Sequence, residues 1–159
     1  MTQTAQTAHG FGPAPQSWQT RWMIAATDAT PGPLYSGVPY DYASVVSAQS
    51  VIFTAGACPL DSEGVVVGRD NLAAQANAAF DNLLLVLGDH GAGAEHLVRT
   101  TIYVVGDQAD LVAVWNVLEA RLAPHRPPST LLGVAALGYT HQLVEIDGVA
   151  ALPPAGPQI

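Results

Sequence analysis

Lysine is absent from this chain of 159 residues, and its cationic side chains are five arginines against 13 acidic residues. Without an amine side chain, neither a lysine Schiff base nor a pyridoxal-phosphate linkage can form. The net charge of −8 also argues against nucleic acid as a partner, because binding to phosphates needs clustered cations. The composition therefore excludes one kind of covalent catalysis and disfavours an anionic polymer as partner.

Cysteine, charge and long apolar runs are scarce as well. Cys58 is the only cysteine, so no intramolecular disulfide can form, as is usual in a reducing cytosol. No run approaches the ~18 apolar residues of a membrane-spanning helix, and no signal peptide is visible. We expect a cytoplasmic protein without a membrane partner. Charged residues make up only 11% against about 25% in soluble domains, which favours a surface partly covered in an oligomer.

The chain has the length and the 49% apolar content of one domain with a substantial core. Residues 1–33 are rich in small and polar residues, with Trp18 and Trp22 as the large anchors. We predict an N-terminal extension over 1–33, either held against a neighbour by its tryptophans or disordered. The domain is predicted over 34–152, followed by a tail over 153–159.

Hydrophobic periodicity predicts five strands and two helices in the order ββαβαββ. The strands are predicted at 42–47, 50–56, 98–105, 130–137 and 143–151. The first helix is predicted over 71–87, with Asp70 or Asn71 as N-cap and Gly88 or Gly91 as stop. The second begins after Asp107 and runs to Leu122. This order predicts an α+β domain with a mixed sheet and both helices on one face.

Four segments carry a resemblance to a known family. Residues 126–134 read RPPSTLLGV, 53–61 read FTAGACPLD, 99–104 read RTTIYV and 143–147 read LVEID. Together they resemble the Rid family of reactive-intermediate deaminases. The resemblance implies a chorismate-mutase-like fold, a homotrimer with three clefts between subunits, and hydrolysis of small imines and enamines. No cofactor is expected, and the five histidines show no metal-ligand spacing.

Matching the motifs position by position assigns the cleft. In deaminating members an arginine holds the substrate carboxylate, and that position is Ser129 here. A guanidinium clamps a carboxylate with two charged hydrogen bonds, which a hydroxyl cannot imitate. We therefore expect either a cleft serine for a substrate without a carboxylate, or a hydroxyl that satisfies local backbone. Arg126, three residues earlier and roughly 10 Å away along an extended chain, is a poor replacement.

The remaining assignments follow the same motifs. The strand glutamate that steers a water falls on Glu145, which otherwise is a polar residue on the solvated side of a strand. Cleft-lining positions fall on an aromatic residue, a strand end and neighbouring side chains: Tyr40, Ala55, Gly56, Cys58, Trp115 and Leu131. Cys58 is either a cleft thiol or a packed one, since a nucleophilic thiol needs a partnering base. Asp147 lies two residues after Glu145 and on the same face of the strand. The two carboxylates either form a pair that does acid–base work, or Asp147 is only a structural neighbour.

Three functions are compatible with these residues. The first is an enzyme that adds water to small imines or enamines, or tautomerises them, with Glu145 as proton relay and with Ser129 and Tyr40 orienting the substrate. The second is a non-catalytic trimer that binds a small molecule in a cleft lined by apolar residues such as Ala57. The third is an assembly or chaperone-like role, in which cleft substitutions change nothing.

Overall fold

A computed structural model describes residues 50–123 and 125–153, together with residues 46 and 48. Within these ranges the strands are β1 (Ser50–Phe53), β2 (Leu97–Val105), β3 (Ser129–Val134) and β4 (Val144–Leu152). The helices are α1 (Leu72–Asp89) and α2 (Gln108–Leu122), with a 3-10 turn over Ala94–His96 before β2. The predicted extension, Tyr40 and the tail after residue 153 lie outside the described residues, as does most of the predicted strand at 42–47.

The four strands form one mixed sheet in the order β1-β4-β2-β3. β4 pairs antiparallel with both β1 and β2, so it lies inside the sheet. β2 and β3 are parallel and are connected through α2, as expected because parallel neighbours need a crossover connection. The sheet is therefore built around β4 and β2, the two nine-residue strands.

Capping residues set the beginnings of both helices. Asn71 is the N-cap of α1 and accepts a hydrogen bond from the Ala74 N–H at 3.0 Å. Asp107 caps α2, and the Asp110 carboxylate accepts a hydrogen bond from the Asp107 N–H, which completes a capping box. α1 continues through Gly88 and ends before Gly91, whose φ of 74° is the left-handed conformation that glycine tolerates. The Asn71 and Gly91 alternatives are thus the ones observed.

Both helices pack on one face of the sheet and enclose the core. α1 contributes a buried stripe with helical spacing, including Phe80, Leu83 and Leu87. α2 contributes Val114, Leu118 and Leu122. These side chains meet the inward residues of the strands, Ile102, Val104, Val144, Ile146 and Ala150. The predicted α+β fold with two helices on a mixed sheet is confirmed.

The opposite face of the sheet carries no helix among the described residues, and we call it the open face. Phe53, at 77% exposure, and Val51 stand on it at the β1 edge, and Leu132 stands on it at the β3 edge. Between these apolar edges lies a polar centre, in which the Tyr103 hydroxyl donates to Asp147 at 2.9 Å. An uncovered sheet face with large apolar side chains is typical of a surface that another protein chain covers.

Candidate functional site around Glu145

A bulge follows β1 and determines which side chains face Glu145. Phe53 pairs with Val149, whereas Ala57 pairs with Ile146. The chain thus takes four steps along one strand (53 to 57) against three along the other (149 to 146). The extra residue turns Cys58, the next residue after Ala57, onto the open face beside Glu145. Bulges commonly redirect side chains in this way next to functional sites.

The Glu145 carboxylate lies directly on the bulge. A Cβ added to Gly56 would overlap with Glu145 Oε1, so the absence of a side chain at Gly56 is what makes room for the carboxylate. Oε2 accepts two hydrogen bonds, from Gln142 Nε2 at 2.9 Å and from the Cys58 thiol at 3.4 Å. Oε1 accepts none from any residue in the described ranges. One carboxylate oxygen is therefore held by two donors, whereas no residue of the described ranges donates to the other.

The surroundings of the thiol next to this carboxylate favour its protonated form. Partial burial raises the pKa of Cys58 above its ordinary value, and the charge of Glu145 and the hydrogen bond to it raise that pKa further. Because a thiolate is the nucleophilic form of cysteine, these effects oppose covalent catalysis by Cys58. The alternative of a packed, hydrogen-bonded thiol agrees with this geometry, and the thiol acts as a hydrogen-bond donor to Glu145.

Gln142 holds the carboxylate from a buried position. Its side chain is only 3% exposed, and its amide oxygen accepts from the Tyr139 N–H at 3.1 Å. Its amide nitrogen also donates to the Val144 carbonyl at 3.2 Å. The main chain closes the same turn through the Gln142 N–H and the Tyr139 carbonyl at 3.1 Å. The amide that contacts Glu145 is therefore fixed by its own partners.

The core supports this turn from behind through Gln75, which α1 buries completely. The Gln75 amide donates to the His141 carbonyl at 2.8 Å and accepts from the Leu143 N–H at 2.7 Å. These two backbone groups belong to the residues on either side of Gln142. A second α1 amide, Asn82, donates to the carbonyls of Cys58 and Leu60 at 2.7 and 2.9 Å. α1 thus anchors both segments that contact Glu145.

An open groove of about 450 Å³ begins at Gly56 and Cys58 and runs along α1. It is lined by residues 56–58 and 60–62, by the α1 side chains of Asn82, Leu85 and Val86, and by Tyr139. Leu85 and Val86 are exposed apolar residues. Asp61 is the acidic residue of the lining. The groove is thus mainly apolar, and it meets the Glu145 cluster at Cys58.

Ser129 lies on the other side of the sheet. It pairs with Thr100, which is fully buried on the helix side. Its hydroxyl donates to the Pro127 carbonyl at 2.9 Å, so the 2.7 Å contact with Thr100 Oγ1 is a hydrogen bond that Thr100 donates. The single Ser129 proton is therefore donated to a backbone carbonyl of the same chain.

Within one chain the structure brings together only part of the predicted site. Gly56, Cys58 and Glu145 form one cluster, and Ala55 lies within the same bulge. Leu131 and Trp115 pack against the core on the helix side, where Ser129 also lies. A sheet separates the two groups, so one chain cannot place Glu145 and Ser129 in a single cleft.

Gln142, the Tyr103–Asp147 hydrogen bond and the anchoring role of Gln75 were not predicted from the sequence. The sequence contained one usable signal for Gln142, an amide in the turn three residues before Glu145. The residues that the structure describes include no group of three possible metal ligands among histidine, cysteine, aspartate and glutamate. They also include no helix long and apolar enough to cross a bilayer.

In the part of the chain that the structure describes, a mixed four-stranded sheet has two helices on one face and the Glu145 carboxylate at a bulge on the other. This arrangement defines the class as an α+β protein. The sequence profile of the family described as Endoribonuclease L-PSP matches residues 37–152. The chain therefore belongs to this family, whose members are also called Rid or YjgF/YER057c/UK114 proteins, and the predicted family is confirmed.

Pairwise sequence similarity to individual proteins supports the same family. The RutC family protein slr0709 of Synechocystis is 34% identical over 131 residues, which is 82% of this chain and 96% of the relative. Protein DfrA of Myxococcus xanthus is 32% identical over 112 residues, covering 70% of this chain and 84% of that protein. The 3-aminoacrylate deaminase RutC of Acinetobacter baylyi is 27% identical over 127 residues, covering 80% and 95%.

Solved structures show the same fold. The Rid family protein YyfB of Yersinia pestis superimposes with a TM-score of 0.68 at 28% identity, over 77% of this chain and 95% of that one. Rv2704 of Mycobacterium tuberculosis, a member of the YjgF/YER057c/UK114 family, gives 0.56 at 29% identity, over 74% and 90%.

Proposed function

We propose that this protein hydrolyses small imines or enamines that lack a carboxylate at the carbon under attack. The observation that carries the proposal is the position of the Glu145 carboxylate. Gln142 and Cys58 hold its Oε2 atom, and no residue of the described ranges donates to Oε1. A carboxylate fixed in this way is suited to accept a proton from a water molecule. Family membership and the similarity to a 3-aminoacrylate deaminase support the same reaction type.

The reaction needs one proton carrier and no redox partner. As the oxygen of water bonds to the imine carbon, the π electrons of the C=N bond move to nitrogen and one water proton passes to Glu145 Oε1. The protonated Glu145 then returns this proton to the nitrogen. Glu145 then accepts the remaining O–H proton and delivers it to the amino nitrogen, so that the carbonyl forms, the C–N bond breaks and ammonia leaves. An enamine enters the same path after one of its N–H protons has been transferred to its β-carbon.

Ser129 determines the substrate class in this proposal. A carboxylate in a desolvated cleft without its guanidinium partner loses a charge-assisted interaction of roughly 1.5–3 kcal/mol. The acidic groups near the groove, Glu145 and Asp61, disfavour a substrate anion further. Neutral imines, and cationic iminium ions, meet no such penalty.

We propose that the working cleft lies between copies of the chain in a homotrimer. Glu145 and Ser129 stand on opposite sides of one sheet, so both can line one cleft only if neighbouring copies contribute them. The exposed apolar side chains of the open face, Phe53 and Val51 above all, and the low charge content support association. Closed cyclic symmetry would cover this face in every copy.

A non-catalytic trimer that binds a small molecule is the second candidate. It is favoured by the serine at the arginine position and by the use of its proton within the chain. In that case the groove binds an apolar ligand and Glu145 only maintains the bulge. Endoribonuclease activity, which the description of the family names, is not proposed, because the net charge is −8 and lysine is absent.

The decay of imines generated enzymatically in solution tests the proposal. We expect wild-type protein to accelerate decay of a neutral imine more than decay of 2-aminoacrylate, which carries a carboxylate. Ser129→Arg should raise the rate on 2-aminoacrylate by about 10- to 100-fold, the range that a charge-assisted pair supplies. Val112→Arg adds the same charge at an exposed position on α2, away from the open face, and should not.

The outcomes separate the two candidates. If wild type accelerates neither imine, the hydrolase proposal is wrong. If wild type is inactive and Ser129→Arg hydrolyses 2-aminoacrylate, the scaffold is competent and a binding function for the natural chain gains support.

The trimer has its own test in Phe53→Asp. A carboxylate at this 77% exposed position would be buried without a partner on association, which costs several kcal/mol. We expect light scattering to give the mass of one chain, 16.5 kDa, for the variant and three times that mass for wild type. Val112→Asp, at an exposed apolar position on α2, serves as control and should leave the trimer intact. A trimeric Phe53→Asp variant would contradict assembly through the open face.

A further inference from the structure

We infer that Gln142 is a positioning residue for Glu145: its amide holds Oε2 of the carboxylate, so that Oε1 is the oxygen that exchanges the proton. The inference rests on the proposed function, because it states which atom of Glu145 reacts. Gln142 lies outside the segments that carry the family resemblance at Glu145, and it was identified only from its contacts in the structure.

The first support is the hydrogen-bond geometry of the amide. Gln142 Nε2 has two protons, and it donates to Glu145 Oε2 at 2.9 Å and to the Val144 carbonyl at 3.2 Å. The amide oxygen is occupied by the Tyr139 N–H. This assignment of oxygen and nitrogen satisfies every group, whereas a flipped amide would set oxygen against two acceptors. The amide can therefore present only a donor to Glu145.

The second support is the neutral charge of the donor. A cation at position 142 would form an ion pair with the carboxylate and weaken it as a base. A neutral N–H orients the carboxylate while leaving the negative charge that attracts a proton. Cys58, the other donor to Oε2, is neutral as well.

The third support is that the backbone around Gln142 is held in place by hydrogen bonds. Gln75 hydrogen-bonds the backbone on both sides of it, at His141 and Leu143. A series of hydrogen bonds thus connects the fully buried Gln75 amide on α1, through the turn, to the Glu145 carboxylate on the open face. Such backing of a reactive group by locked neighbours reduces the motion that misplaces it.

Gln142→Glu tests the inference, because it keeps the size of the side chain and replaces the donor by a second carboxyl. Three other titratable groups face Glu145 from the packed elements: Cys58 after β1, Tyr103 on β2 and Asp147 on β4. Two carboxyl groups within hydrogen-bond distance retain a shared proton to higher pH. We expect the acidic limb of the pH–rate profile for imine hydrolysis to move upward by about one pH unit or more.

Cys58 supplies a readout that needs no turnover. It is the only thiol of the chain, so the pH dependence of its alkylation by iodoacetamide reports this cluster alone. A second acidic group beside it should raise the pKa of Cys58 further, and the midpoint of labelling should move upward. Gln108→Glu makes the same chemical change at an exposed position at the start of α2 and should move neither readout.

If Gln142→Glu fails to fold, Gln142→Met replaces it, since methionine has similar length, no charge and no donor. We expect kcat to fall by about 10- to 100-fold with KM little changed, the effect of a misplaced catalytic group. Unchanged labelling and an unchanged pH–rate profile in Gln142→Glu, or an unchanged kcat in Gln142→Met, would overturn the inference. An inactive wild type would contradict the proposed function. The labelling midpoint of Cys58 would still show whether Gln142 influences the charge of the Glu145 cluster.

Discussion

Replacing Glu145 by glutamine is expected to slow imine hydrolysis by about two to four orders of magnitude, the usual contribution of a general base. The amide has the shape of the carboxylate and can still accept from Gln142 and Cys58 through its oxygen. It cannot accept a proton from water. The measurement is the rate of neutral imine decay at saturating substrate, with the unfolding midpoint as a check on the fold.

Two companion variants separate chemistry from local structure. Asp147→Asn makes the same change two residues along the same face, where the carboxylate accepts from Tyr103, and should leave the rate within a few-fold of wild type. Gly56→Ala keeps Glu145 but places a methyl group where Oε1 lies, so it should lower the rate by displacing the carboxylate. A Glu145→Gln variant as active as wild type would leave the cluster without a catalytic role.

Glu145→Gln should also change the pKa of the Cys58 thiol. Because the charge of Glu145 and its hydrogen bond raise the pKa of Cys58, Glu145→Gln lowers that pKa, although the contribution of burial remains. The thiolate fraction at a pH just below the wild-type midpoint therefore rises, and alkylation becomes faster. This direction is opposite to the one expected for Gln142→Glu, so the two variants together test whether Cys58 senses the charge of the cluster.

The second large effect is expected on stability, from Gln75→Met. Methionine fills similar space, but it leaves the His141 carbonyl, the Leu143 N–H and the Gly68 carbonyl without the partner that Gln75 provides. Each buried group that loses its partner costs about 1–3 kcal/mol, although relaxation recovers a part. We expect a loss of about 2–5 kcal/mol in the free energy of unfolding, a large fraction of the ~5–15 kcal/mol of a typical domain.

Urea denaturation at one fixed protein concentration measures this loss, because association would make the midpoint concentration-dependent. Gln108→Met removes an exposed amide and should change the unfolding free energy by less than about 0.5 kcal/mol. A Gln75→Met variant as stable as this control would show that the three backbone groups find other partners. Cys58 labelling in the variant would show whether the turn that holds Glu145 moves with them.

We expect the ion pair between α1 and α2 to contribute little to the free energy of unfolding. Arg121 lies 2.6 Å from Asp81 and above the ring of Phe80. The Asp81 carboxylate is well exposed, and exposed pairs contribute about 0–1 kcal/mol. The buried amide of Gln75, which carries no charge, is therefore expected to contribute more to stability than this exposed ion pair.

Local patterns in the sequence predicted the helices and inner strands well. Apolar spacing located α1 and α2 to within a few residues, and Asn71, Asp107 and Gly91 marked helix ends through capping chemistry that is local to the chain. The motif at 143–147 located Glu145 on a strand. The predicted strand 130–137 was too long at its end, since β3 stops at Val134, and the strand predicted over 50–56 ends at Phe53, where the bulge begins.

The sequence by itself determined the α+β class, the family, the lack of any lysine chemistry and the serine in the arginine position, because each of these is a property of residue identity or of short-range periodicity. Only the tertiary structure decided which predicted site residues meet. A single extra residue between Phe53 and Ala57 turns Cys58 toward Glu145, and the register of β2 with β3 turns Ser129 away. Gln142 acquires its role because Gln75, 67 positions earlier in the chain, holds the turn from the core. Register and long-range hydrogen bonds of this kind depend on the packing of elements distant in sequence, which no local pattern encodes.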